Sequence, residues 1–418
     1  MTFDVAHLTS ELDTHLRDAD AALAARFPGE RAARQPVHTV YVPADRYDAD
    51  LVNRWGAEAL AALDEHGGSG AEYAAVLGLP ADLASEVVGR VRAKLSSEPI
   101  EDLRIDFEDG YGNRSDEEED AAVDAAAAAL LASIGSGGAA PFHGIRFKSF
   151  EAPTRARGVR TLARFVEAVA VDGRLPDGFV VTLPKVTSVD QVEAMVTACS
   201  RLESGLGLRS GAVGFEIQIE TPQSILGPDG TALVARMLHA SAGRCTGLHY
   251  GTYDYSASCG IAAAYQSMEH PAADHAKAVM QVAAAGTGVR LSDGSTNILP
   301  VGDRDRVHAA WALHARLVRR SLERGYYQGW DLHPAQLPSR YAATYTFYRE
   351  GLPAAAERLR NYVGQVDSGV MDEPATARAL ADFVVRGLDC GAVDDAEVLA
   401  LTGIDRARMD VLAKRATA

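Results

Sequence analysis

The chain has few cysteines, no long apolar run and no surplus of basic charge, and each shortage removes a class of function. Its four cysteines, Cys199, Cys245, Cys259 and Cys390, are scattered and show no CxxC spacing. That speaks against a zinc ribbon or a disulfide framework and leaves buried free thiols as the expected state. No apolar stretch approaches the roughly 20 residues that a bilayer crossing needs. The start MTFDVAHLTSELD lacks the basic-then-apolar pattern of a signal peptide, so a cytoplasmic protein with no membrane partner is expected. Acidic residues outnumber basic ones, 57 to 41, for a formal net charge of −16. Nucleic-acid phosphates would be repelled by such a surface, and no nucleic-acid partner is expected. Neither a GxxxxGK loop nor an HExxH helix occurs; Glu269, His270 and His275 have the wrong order for a zinc helix, and Pro271 interrupts the turn.

What is present is a soluble-type composition, with 47% hydrophobic and 23% charged residues, enough for a substantial core. Short β-branched or apolar runs alternate with longer Ala-rich amphipathic segments, the pattern of a parallel sheet with helices outside. The runs are 38–42, 103–108, 144–150, 179–183, 213–220, 246–251, 288–291 and 326–332. Eight of them predict an α/β fold, a closed TIM (β/α)8 barrel. Segments 116–134, 187–200 and 304–324 read as covering helices; the acidic run 116–120 suits a helix start, where negative charge meets the positive end of the macrodipole. Two stretches exceed the minimal barrel: a helical insertion around 67–99 and a C-terminal helical extension, 351–418, on a barrel domain of 1–350. The extension is expected to close over the barrel mouth or to pack on a neighbouring subunit.

Catalytic groups of such barrels come from the C-terminal ends of several strands. Here the second run ends in Asp106, Glu108 and Asp109, the third carries Arg146 and Lys148, and the fourth leads to Lys185. The fifth ends in Glu220, the sixth leads to Asp254, and the eighth ends in Asp331 and His333. A single strand-end carboxylate is usually a turn or cap former, so the inference rests on convergence. Glu220 and Asp254 would offer two oxygen ligands with open positions left over, which suits a hard cation such as Mg²⁺ better than zinc. An arginine beside such a pair can hold a carboxylate bidentately while the cation polarises an adjacent carbonyl, which points to a 2-oxo acid as the small-molecule substrate.

Six stretches in order resemble the HpcH/HpaI aldolase and citrate lyase β-subunit family: DFEDGYG (106–112), IRF (145–147), LPKV (183–186), IETPQSI (219–225), GTYDYSAS (251–258) and DLHPAQL (331–337). The resemblance implies carbon–carbon cleavage or formation next to a 2-oxo acid or a CoA thioester, and a homo-oligomer. It also implies that Glu220 and Asp254 bind Mg²⁺, that Arg146 holds the substrate carboxylate, and that Glu108 with Asp109 orders metal-bound water or the arginine. Asp106 is read as structural.

Lys185 is expected to act as a supporting charge, although a lysine at a strand end can also form a Schiff base with a carbonyl. His333, before Pro334, is a substrate-side candidate or a hydrogen-bonded structural histidine. The general base is not identified; Asp367, Asp372 and Glu373 are candidates by position alone. The long tail, the insertion and the Tyr-rich GTYDYSAS depart from the family pattern and leave a thioester substrate open. Two other readings stand beside a lyase or aldolase: a phosphoenolpyruvate- or pyruvate-handling phosphoryl-transfer enzyme, and a non-catalytic metabolite-binding homologue.

Overall fold

A computed structural model describes residues 3–364 and 373–414. Eight strands, β1 (His38–Pro43), β2 (Asp102–Asp106), β3 (Phe142–Arg146), β4 (Phe179–Leu183), β5 (Phe215–Ile219), β6 (Cys245–Tyr250), β7 (Arg290–Ser292) and β8 (Gly329–Asp331), pair in parallel in the order β7-β6-β5-β4-β3-β2-β1-β8. The seam between β7 and β8 is joined by a Ser292–Gln328 bridge and by hydrogen bonds from the Asp293 N–H to the Gln328 carbonyl and from the Trp330 N–H to the Gly294 carbonyl. The result is the (β/α)8 barrel expected from the eight apolar runs.

Because side chains alternate along a strand, each strand supplies one row to the helices and one to the lumen. The outward row is apolar, with Val40, Val42, Leu103, Ile105, Ile145, Val181, Ile217 and Leu248 buried in the main hydrophobic core. The inward row is not. Its lower layer carries Thr39, Asp102 and Gln328, tied by hydrogen bonds of 2.8 and 2.9 Å. Above them Arg104 pairs with Asp102 and, at 2.9 Å, with Glu216, which in turn meets His249 Nε2 at 3.1 Å. Charges buried this deeply are tolerable only when each finds a partner, and these do.

Helices Gly70–Leu77 and Ala84–Ser97 form the insertion between β1 and β2. The expected boundary at 350/351 falls inside one continuous helix, Leu337–Gly364. Its first half buries Tyr341 and Tyr345 against the barrel, while Leu352, Ala355 and Leu359 in its second half belong to a separate small core with the helices Pro374–Cys390, Asp395–Thr402 and Arg406–Leu412. This extension lies by the N-terminal ends of the strands. Arg386 donates to Gln35 just before β1 at 2.6 Å. The described part of the tail therefore flanks the end of the barrel opposite the mouth. Of the four free cysteines, Cys199, Cys245 and Cys390 are buried as expected, whereas Cys259 is exposed. Among the described residues no helix is long and apolar enough to cross a membrane.

Candidate active site

The upper end of the lumen is built from the last inward residues of β2, β3 and β5 and from the loops after β4 and β6. In the β2–β3 register Asp106 lies directly beside Arg146, and the two side chains form a paired contact, Nε to Oδ1 and Nη2 to Oδ2, each 2.7 Å. The Tyr41 ring lies under the guanidinium at 4.8 Å. That fixes the arginine's plane. Asp106 also accepts from the Glu108 and Gly110 N–H groups, so it shapes the loop that carries Glu108 and Asp109.

Arg146 is buried, and with its Nε–Nη2 edge engaged it turns Nη1 towards the mouth, 3.5 Å from Glu108 and 3.4 Å from Gln218 Oε1. Gln218 passes the contact on, donating to Glu220 Oε2 at 2.5 Å. Glu220 Oε1 accepts the Lys185 backbone N–H at 2.7 Å. Lys185 can present that N–H because it adopts a left-handed backbone, φ +51°, a conformation that costs energy for a residue with a side chain and clusters at functional sites. Opposite, Gly251 leaves room that no other residue would: a Cβ there would stand 2.6 Å from the Glu220 Cβ.

The Lys185 ammonium is the hub of the mouth. It lies 3.0 Å from Glu108, 2.8 Å from Asp109 and 3.6 Å from Asp254. The structure thus gathers Glu108, Asp109, Arg146, Lys185, Glu220 and Asp254 around one opening. His333 is not tied into this group; its Nδ1 accepts the Ala335 N–H and caps the turn Pro334–Gln336. Asp331 points outward, wholly buried between Arg340, His38 and His314. Glu373 stands at the start of the helix Pro374–Cys390, and Asp367 and Asp372 lie outside the described residues. Lys148, which the third run carries, turns away to Glu119 at 2.6 Å.

One site residue, Gln218, escapes a reading of strand ends. Gln218 sits two positions before Glu220, and Glu216 two before that, so the inward period of β5 was the available signal. Asp106 is the partner of Arg146, a role its place in the register decides.

Burial sets the ionisation of these groups. Glu220, wholly removed from water, has its carboxyl pushed up to about 8, against the pull of Lys185 and Arg146. Burial likewise raises Glu108, to about 6. Burial opposes ionisation of Asp109 too, but hydrogen bonding with Glu108 and Lys185 outweighs it and holds the group below its ordinary range. Lys185 is raised despite burial by Glu220, Glu108 and Asp109, which keeps it an ammonium and makes it a poor Schiff-base nucleophile.

The donor set fits a hard divalent cation by chemistry, since Glu220, Asp254, Glu108 and Asp109 offer only oxygen. Among the described residues no three His, Cys, Asp or Glu side chains are drawn together as a finished metal cage. The cationic place between the carboxylates is taken by Lys185.

The sequence profile of a family described as a domain of unknown function (DUF6986) matches residues 16–417. No curated protein matches the sequence. Among similar solved structures are a citrate lyase β subunit with oxaloacetate and magnesium from M. tuberculosis, 18% identical, TM-score 0.43, covering 75% of this chain and 98% of its own. A Haloferax volcanii malate synthase is 14% identical with a TM-score of 0.48, covering 92% and 93%. An HpcH/HpaI aldolase/citrate lyase family protein from Burkholderia cenocepacia is 15% identical with a TM-score of 0.41, covering 78% and 95%. Likenesses this distant do not extend to activity.

Proposed function

The chain belongs to the DUF6986 family, and we propose that it is a Mg²⁺-dependent carbon–carbon lyase or aldolase acting on a 2-oxo acid or an adduct of one. The observation that carries this reading is the meeting of a buried, reluctant carboxylate, Glu220, with a fixed arginine and a protonated lysine at one barrel mouth. Glu220 and Asp254 would hold the cation, and a bound Mg²⁺ would supply a Lewis acid for the oxo group of the substrate.

The chain's own residues account for the remaining needs. Arg146 Nη1 and the Lys185 ammonium provide positive charge for the substrate carboxylate and for the oxygen that becomes negative as an enolate forms. Glu108 is the fitting base: its raised pKa of about 6 lets it take a proton near neutral pH. In condensation the methyl C–H bond breaks, the proton goes to Glu108 and the electron pair moves into the enolate; in cleavage the same carboxylate takes the hydroxyl proton, the O–H electron pair becomes the new carbonyl bond, the C–C bond breaks with its pair passing into the enolate, and the proton on Glu108 returns to the enolate carbon. Gln218 and Asp106 act as positioning residues, holding Glu220 and Arg146.

Binding tests the assignment without knowledge of the second half of the substrate. Pyruvate, oxaloacetate and glyoxylate are expected to raise the melting temperature with Mg²⁺ present and to have no effect in EDTA, because only a ligand of the native state shifts unfolding. Stabilisation by phosphoenolpyruvate in preference to these acids would favour a phosphoryl-transfer enzyme.

A further inference from the structure

The helix Val5–Arg26 stands apart from the rest of the molecule: none of its residues is buried, and all but Ala22 are exposed. The chain is clamped behind it, where Phe27 packs edge-on to His239 and the Gly29 N–H bonds the Gly286 carbonyl at 2.8 Å. Along the helix, Val5, Leu8, Leu12, Leu16, Ala19 and Leu23 recur at spacings of three, four, four, three and four. At 3.6 residues per turn these six fall within an arc of about 80°. Five of them are large, and they expose between 39% and 65% of their surface.

We propose that this stripe docks against the same helix of a second copy of the chain. A three-four-four spacing is an 11-residue repeat, close to the natural period of an α-helix, so the stripe runs nearly parallel to the axis rather than winding around it. A partner with the same repeat stays in contact over the whole length, and the second copy has that repeat by identity. The pair would bury a band ~33 Å long on each helix, roughly 1,000 Å² in total, near the lower bound for a specific interface. Most helical stability in proteins comes from packing of an apolar face, and pairing would supply that packing here. From Asp4 to Arg26 there are five carboxylates against two guanidiniums, which disfavours an anionic membrane or a nucleic acid as occupant.

Sedimentation of the full chain tests the pairing at ~100 µM, far above the Kd of a specific complex. The wild type is expected to contain two-fold pairs, and Leu12→Asp with Leu16→Asp to halve the assembled mass while the melting temperature of the barrel is kept. Thr14→Asp, on the opposite face, is expected to change nothing. Rising salt should strengthen the wild-type pair, since like charge opposes it. A wild type that is monomeric, or an assembly indifferent to the Leu12 and Leu16 changes, overturns the proposal. So does flotation of a monomeric chain with phosphatidylserine vesicles that is lost in the double variant, which would assign the stripe to a membrane.

Discussion

Lys185 sits among three carboxylates, its ammonium within 3.6 Å of Glu108, Asp109 and Asp254. A divalent cation attracted by Glu220 and Asp254 must share those carboxylates with a tethered one. Lys185→Met is therefore expected to bind Mg²⁺ about tenfold more tightly than wild type, measured by calorimetry with the metal alone. Equal or weaker binding would show that the lysine does not compete. Gly251 gives a second test, because a methyl group there would stand 2.6 Å from the Glu220 Cβ. Gly251→Ala is expected to lower Mg²⁺ affinity several-fold while the protein stays folded by circular dichroism. The strand-end residues themselves were legible from where apolar runs stop. The partnerships were not: that Asp106 rather than Glu108 takes the paired contact with Arg146 depends on the β2–β3 register, which no run of residues spells out.

Among the elements, the eight strands could be read because each combines an apolar outward row with short length and polar boundaries. Their ends were harder to place. The run 144–150 continues past the end of β3 at Arg146, since Phe147 and Phe150 are buried in the main hydrophobic core without strand pairing. Within β3, Gly144 permits a close approach that the pattern hides: a Cβ there would meet the Val180 carbonyl oxygen at 1.7 Å. Gly144→Ala must push β3 and β4 apart and is expected to destabilise the fold by more than about 2 kcal/mol in urea titrations. A loss within about 0.5 kcal/mol would mean that the barrel wall yields there. The tail boundary was illegible for a related reason. The helix Leu337–Gly364 changes the surface it packs on midway, from barrel to small core, and runs on past Pro353, which lacks an N–H to donate, without ending there.

For the molecule as a whole, the charged lumen ties stability to pH. Burial alone would raise Glu216, but Arg104 and His249 bring it down to about 2. A carboxylate depressed in the folded state contributes its full stability above its unfolded pKa of about 4.5 and loses it as pH falls towards 2. Acid titration of the melting temperature is expected to fall steeply in that window, and Glu216→Gln to flatten the slope while lowering stability at pH 7 by a few kcal/mol, since Arg104 loses a buried partner. A slope unchanged by Glu216→Gln would place the acid lability elsewhere. The acidic excess and the closed barrel were both readable in advance; the polar filling was not, because an inward charge and an exposed one look alike until the register decides which face each takes.

The central claim, that this barrel mouth makes an enolate from a 2-oxo acid with the help of Mg²⁺, is open to one direct measurement. In D₂O, proton NMR follows loss of the pyruvate methyl signal as its protons exchange with solvent, a readout that needs no second substrate. Exchange faster than with Mg²⁺ alone is expected for the wild type, with loss of the effect in EDTA and in Glu220→Gln, and with Glu108→Gln strongly slowed in a folded protein. Exchange no faster than the protein-free control, or equally fast in EDTA and in Glu220→Gln, would contradict a metal-assisted enolate at this site.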